Sequence, residues 1–227
     1  MTSLLKPMAA LCVLILARGA DGAPDLLKDR NGGFEQGLTN WLVHFPDHDF
    51  LKNNISCVSV VRDGSRPHVL KFVLSPAAAE NWGVQALSLP IRIDPKQRYK
   101  LTVSARTTGP DARLYVMGKR WHPKATRSEH PVNADVRDVF KGPVLSFSGE
   151  KGTAQFSNVR RAWATESVEI PPREMTDLAY GFWQKCEFLE IHLVGIGGGA
   201  GELFLDDVRI EETGPVLPGQ VRKTSGK

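Results

Sequence analysis

The chain is poor in cysteine, with three in 227 residues. One of them, Cys12, falls in an N-terminal segment built like a secretory signal. Lys6 supplies a positive start, residues 8–17 (MAALCVLILA) form an apolar stretch, and Ala20-Asp21-Gly22 offers small residues for cleavage. Residues 1–22 are therefore predicted to be a signal peptide, and the protein to be secreted or periplasmic. The other two cysteines, Cys57 and Cys186, allow one disulfide in an exported chain. They could equally be two buried thiols acting as small hydrophobes. Long hydrophobic runs are also missing. The ten residues 8–17 fall well short of the roughly 20 that span a bilayer. No lipoprotein box precedes Cys12, and nothing later is apolar enough to cross, so no membrane span is expected.

Charge of one sign is scarce too. The formal net charge is +4, and it drops to +3 once Lys6, Arg18 and Asp21 leave with residues 1–22. The surplus is spread along the chain, partly in Arg222, Lys223 and Lys227 of the tail. With no basic helix and no nucleic-acid motif, a nucleic-acid partner is not expected. Nucleophile signatures are absent: there is no Gly-x-Ser-x-Gly, no His-Glu-x-x-His and no cysteine with an evident histidine partner. No catalytic residue is assigned, although a glycosidase needs only two suitably spaced carboxylates. Glu129, Asp135, Asp138 and Glu150 leave that route open. Long amphipathic helix patterns are nearly absent, with a short helical turn conceivable only within residues 173–182, and there is no internal repeat.

What is present is a succession of strands. Period-2 or β-branched patterns occupy residues 55–61, 69–74, 83–93, 99–105, 113–117, 164–170, 188–196 and 202–211, separated by Gly, Pro and Asp turns. Pro90 marks an edge or a bend. This rhythm predicts an all-β antiparallel sandwich or jelly roll, a single domain over residues 23–212. Two stretches break it. Residues 118–158 are polar and rich in Pro, Lys, Arg and Ser, and read as one long irregular insertion, functional or mobile. Residues 213–227 read as a flexible tail. The glycine run Gly195-Ile196-Gly197-Gly198-Gly199-Ala200-Gly201 lacks the helix that a dinucleotide fingerprint needs after it. It reads instead as a hairpin connection between the last two strands.

Two segments carry a family likeness. Asn31-Gly32-Gly33-Phe34-Glu35 leads to Trp41, and Phe204-Leu205-Asp206-Asp207-Val208 closes the chain. Between them lie Gly83-Val84-Gln85, the run Tyr99 to Arg106 and the stretch from Trp163 to Pro171. In that order, over roughly residues 29–117 and 160–212, they resemble the CenC-like carbohydrate-binding modules of the galactose-binding-like jelly-roll family. The resemblance implies a β-sandwich that binds sugar without turning it over. It also implies a structural calcium where the first and last strands meet, with Glu35 and Asp206 as the matching acids. Calcium takes six to eight hard oxygens, backbone carbonyls included, and glycines such as Gly32 and Gly33 can present carbonyls unobstructed. The competing reading gives the two acids a hydrogen bond or salt bridge and no metal. On the alternation, Asp206 shares a face with Phe204, Val208 and Ile210, and Asp207 points outward.

Sugar recognition needs aromatic faces and planar polar groups. Trp41 and Trp163 read as core residues, and Trp183 is ambiguous. Trp82, Tyr115 and Trp121 are the candidates for stacking, with Gln85 and Arg113 for hydroxyls, and the 118–158 stretch walling the cleft. The cluster His44-Phe45-Pro46-Asp47-His48-Asp49 reads as a solvated loop rather than a transition-metal site. The expected function is non-catalytic binding of a polysaccharide or oligosaccharide, with a glycan-active enzyme as a possible companion. The alternatives are an interaction module docking a protein or an anionic cell-surface polymer, and a small jelly-roll enzyme acting on polysaccharide.

Overall fold

A computed structural model describes residues 23–44, 57–81, 83–147, 162–216 and 221–222. Residues 1–22, 45–56 (with Phe45 to Asp49 of the histidine and aspartate cluster), Trp82, 148–161, 217–220 and 223–227 lie outside the described residues. The strands are β1 (Trp41–His44), β2 (Cys57–Asp63), β3 (Arg66–Leu74), β4 (Val84–Ser88), β5 (Ile91–Arg92), β6 (Gln97–Thr107), β7 (Asp111–Trp121), β8 (Val136–Phe147), β9 (Ala164–Ile170), β10 (Met175–Thr176), β11 (Phe188–Ile196), β12 (Gly201–Pro215) and β13 (Val221–Arg222). Two short helices interrupt them, α1 (Pro76–Glu80) and α2 (Asp177–Trp183). Each starts where a hydroxyl can satisfy an orphan amide: Ser75 accepts from Ala78 N, and Thr176 from Ala179 N.

The strands form two antiparallel sheets packed face to face, as the sequence predicts. The first runs β1-β4-β11-β7-β8, with β5 also paired to β11, and the second runs β2-β3-β12-β6-β9. Alternation sets the core. Leu114, Val116, Ile191 and Leu193 of the first sheet face Phe72, Leu101, Val103 and Leu205 of the second, all essentially without solvent contact. Trp41 and Trp183 are buried with them; the Trp41 indole donates to Asn31 O at 3.0 Å and the Trp183 indole to Pro95 O at 2.7 Å.

Several expectations need correction. The 118–158 stretch is not one irregular insertion, because β7 continues to Trp121 and β8 fills Val136–Phe147. β8 is hidden in the sequence because Gly142-Pro143 breaks its alternation. It can hold that proline because it is the edge strand of its sheet, where a missing amide costs no ladder bond. The tail starts later than predicted: residues 213–215 finish β12, Val216 N bonds Lys96 O at 2.8 Å, and β13 pairs in parallel with β10. The glycine run does not make a hairpin. β11 and β12 belong to different sheets, and the run carries the chain across the sandwich through Gly197, Gly198, Gly199 and Gly201, all at positive φ. Cys186 is a free, buried thiol, so no disulfide joins it to Cys57. Its burial pushes the thiol up to about 12. Among the described residues no helix is long and apolar enough to cross a membrane.

Candidate functional site

The outer surface of the first sheet, the side turned away from the core, collects most of the predicted binding residues. Register places Leu42, Leu87, His192, Tyr115 and Val144 in one row across five strands. The next row holds Gln85, Val194 and Arg113. Neighbouring strands lie about 4.8 Å apart, so Gln85 and Arg113 stand roughly 10 Å from each other, and Arg113 and Tyr115 about 7 Å along β7. Leu42 is 47% and Val144 41% exposed. Gln85, Leu87, Arg113, Tyr115 and His192 are half-buried. The Lys141 ammonium approaches the Tyr115 ring at 5.8 Å. The surface is thus a partly apolar row beside a polar one, open to solvent.

One end of this surface is covered. Residues 122–135, between β7 and β8, turn back over it. Asn133 Nδ2 donates to Ser88 O at 3.0 Å and to the Glu190 carboxylate, tying the turn to β4 and β11. Beneath it Trp121 meets Phe188 edge-on at 5.3 Å, with Val136 and Ala125 alongside. Trp121 is therefore buried packing, 5% exposed, and offers no ring face for stacking. The indole is consumed in seating the turn. Trp82 lies outside the described residues.

Next to the covered end sits a buried ionic cluster. Glu190, 1% exposed, receives Lys119 Nζ at 2.9 Å and His192 Nε2 at 2.5 Å on the same oxygen. Lys119 also reaches Asp138 at 2.7 Å. Burial alone would raise the Glu190 carboxyl, but the hydrogen bonds from His192 and Lys119 and their charges outweigh it and hold it below its ordinary value. Burial would likewise lower the Lys119 ammonium, and its two carboxylates raise it instead. A carboxylate held ionised this way is a poor general acid. Of the other loop acids, Asp135 Oδ2 accepts from Val132 N, Asp138 is spent on Lys119, and Glu150 lies outside the described residues.

The two ends of the chain do meet. Asp25 Oδ1 accepts from the amides of Leu27 and Ile210, Leu26 N bonds Ile210 O, and Val208 N bonds Gly32 O at 3.1 Å. A Cβ on Gly32 would stand 2.2 Å from Val208 O, so only glycine fits this approach. A cleft of about 160 Å³ opens there, lined by Asp25, Gly32, Gly33, Glu35, Asp207 and Arg209, with Lys28 at its side. Glu35 faces the cleft, exposed and without a partner among the described residues. Asp206 does not line it. β12 bulges after Asp206, with Asp207 at φ 52°, so the alternation breaks: Phe204 and Asp206 lie outside the core while Val208 and Ile210 enter it. The predicted single face from Phe204 to Ile210 is thereby split. Asp206 is buried against Arg66, whose Nη1 reaches Asp206 at 2.5 Å and Asp207 at 2.7 Å. Burial raises the Asp206 carboxyl, only partly opposed by Arg66. Glu35 and Asp25 line this cleft beside backbone carbonyls, whereas Asp207 is already bonded to Arg66 at 2.7 Å and to Arg209 at 3.3 Å. Among the described residues there is no group of three or more His, Cys, Asp or Glu clustered as a metal site.

Trp163, expected in the core, instead lines a cleft of about 270 Å³ beside β2 and β3. Arg66 stacks on its ring at 4.3 Å, its indole donates to Asp63 at 2.9 Å, and Asp63 takes a two-pronged contact from Arg106. These groups satisfy one another. Sequence reasoning missed this network, and it also missed Leu87 and His192. The alternation of FLEIHLVGI, which sends Ile191 and Leu193 inward, could have placed His192 on the outer face.

No family model matches this chain, and no curated protein matches it. Solved structures similar to it include a CBM4 module (14% identity, 81% of this chain and 98% of that one, TM-score 0.46). Others are the CBM22-1 xylan-binding domain of Paenibacillus barcinonensis Xyn10C (11% identity, 85% of this chain and 97% of that one, TM-score 0.45) and TmCBM61 in complex with β-1,4-galactotriose (15% identity, 84% of this chain and 99% of that one, TM-score 0.46).

Proposed function

We propose that this protein binds carbohydrate without transforming it, on the outer surface of the first sheet. The observation that carries this is the placement of Gln85 and Arg113 on either side of Val194 in one row, beside a second row of Leu87, His192 and Tyr115, on the outward face of the first sheet. The apolar row suits the C–H faces of sugar rings, and the planar amide and guanidinium beside it suit hydroxyls in pairs. The reading rests on this surface and not on the galactotriose-bound module, of which the chain covers 99% at 15% identity. Tyr115 supplies the platform, Arg113 and Gln85 the hydrogen bonds, and the turn at residues 122–135 closes one end. Export, as residues 1–22 suggest, would put the protein where polysaccharides are.

The same reading carries a structural calcium in the cleft between the opening turn and β12, held by Glu35 with Asp25 and backbone carbonyls; Asp206 and Asp207 are both bonded to Arg66. The ion would supply positive charge that fastens the two segments together and takes no part in sugar chemistry.

A glycan array tests the function. Binding without turnover is expected, weakened about tenfold or more in Tyr115→Ala, a loss of about 1.4 kcal/mol. Release of reducing ends by the wild-type protein would overturn the reading in favour of an enzyme. Binding that survives both Tyr115→Ala and Arg113→Ala would move the site elsewhere.

A further inference from the structure

A second concave site lies beyond the covered end of the sheet surface. A cavity of about 370 Å³ opens between β5, the end of β7 and the turn from α2 into β11. Three cationic side chains line it, Arg92, Arg120 and Lys185, against one acid, Glu187. None of the three has a carboxylate partner among the described residues. Arg66, Lys71, Arg106, Lys119 and Arg173, by contrast, are each paired with an acid.

The three cations are held in other ways. The Arg92 guanidinium lies over the Phe188 ring at 5.2 Å, and the Lys185 ammonium over the Phe182 ring at 5.4 Å. Arg120 Nε is buried with no acceptor. The wall itself is fixed by backbone bonds, Ile93 N to Glu187 O at 3.1 Å and Glu187 N to Lys119 O at 2.8 Å. The result is a preformed hollow with an excess of positive charge and unspent donors. Neutral sugars have no use for such a surplus, whereas an oxyanion does.

We infer that this cavity is an oxyanion subsite, which takes the carboxylate or sulfate group of a charged sugar unit. That the group is carried on a sugar rests on the carbohydrate reading above; that the cavity takes an oxyanion does not. None of Gln85, Arg113 or Tyr115 contributes to it.

Calorimetry on the full chain at low salt tests the inference, with glucuronate, a sulfated hexose, inorganic sulfate and glucose as probes. Glucuronate and the sulfated hexose should bind and glucose should not. Arg92→Gln and Lys185→Gln, both at exposed positions, should each weaken the anions about tenfold without moving the melting temperature, and added salt should weaken them further. Inorganic sulfate binding as tightly as the sulfated hexose would keep the oxyanion site and remove the sugar from it. Failure of every anion to bind would overturn the inference, as would anion binding indifferent to both variants. Tyr115→Ala separates the two sites. Loss of neutral-glycan binding with anion binding intact supports both, and loss of anion binding in that variant would assign the anion to the sheet surface and overturn the cavity.

Discussion

Two residues show how this sandwich tolerates charge in buried places. Glu190 is shielded almost completely, yet it stays ionised because Lys119 and His192 share one of its oxygens and Asn133 takes the other. Its folded value sits below the ordinary 4.5, so the sign of the linkage follows. Stability from this group is fully present above 4.5. It is lost as pH falls through the lower folded value, because the unfolded chain takes up the proton first. Urea midpoints measured between about pH 6 and pH 3 should therefore drop on the acid side in the wild type. Glu190→Gln should be less stable at neutral pH and give a flatter acid limb; an identical limb in the variant would show that other carboxylates dominate. Arg66 opposes the burial of Asp206 only in part, reaching it at 2.5 Å while also stacking on Trp163. Arg66→Met leaves that carboxylate buried and uncompensated, and should cost about 2–4 kcal/mol, somewhat less than a fully buried pair because Arg66 keeps some solvent contact. Adding Asp206→Asn to it should recover part of the loss in a denaturation series.

At the scale of elements, the turn at residues 122–135 and the strand that follows it are the parts whose roles change most on seeing the structure. Trp121→Ala should destabilise the protein by about 3 kcal/mol, since it removes a large buried aromatic from its contact with Phe188. Glycan binding should fall only as far as the turn loosens. Tyr115→Ala should do the opposite, with little change in melting temperature and a large loss of binding. Had Trp121 been a stacking platform, the two variants would match. The strands that carry unbroken alternation, such as YKLTVSA and FLEIHLVGI, were legible in the sequence, because a half-buried strand must repeat every second residue. β8 was not, since Gly142-Pro143 interrupts it and only its edge position makes that acceptable. The fate of the aromatics was not legible either. Whether Trp121 or Trp163 faces a ligand, the core or a neighbouring arginine depends on which loop folds over it, and no local pattern encodes that. The bulge at Asp207 is a case between the two: one left-handed residue inverts the facing of everything after it, and the pair of acids gives no sign of where the inversion falls.

Over the whole molecule, the chain closes by laying its opening turn on its last long strand, and this closure is where an ion would act. The contact is close: Gly32 touches the Val208 carbonyl, Asp25 caps the Ile210 amide, and Glu35 is left facing a small cleft with Asp25 and Asp207. Asp207 is offset there by Arg66 and Arg209, whereas Glu35 has no paired cation among the described residues, and a bound cation would supply one. If calcium sits there, it binds the folded state and must raise the melting temperature in its presence. Melting in excess chelator should then fall by several degrees and return on adding calcium but not magnesium, which dehydrates reluctantly and demands a tighter octahedron. Glu35→Gln should lower the calcium-bound melting temperature toward the chelated value while leaving the chelated value itself nearly unchanged, because that exposed carboxylate has no hydrogen-bond or ion-pair partner among the described residues. A midpoint indifferent to chelator would leave the closure to Gly32, Asp25 and the backbone bonds alone, and would place Glu35 in solvent.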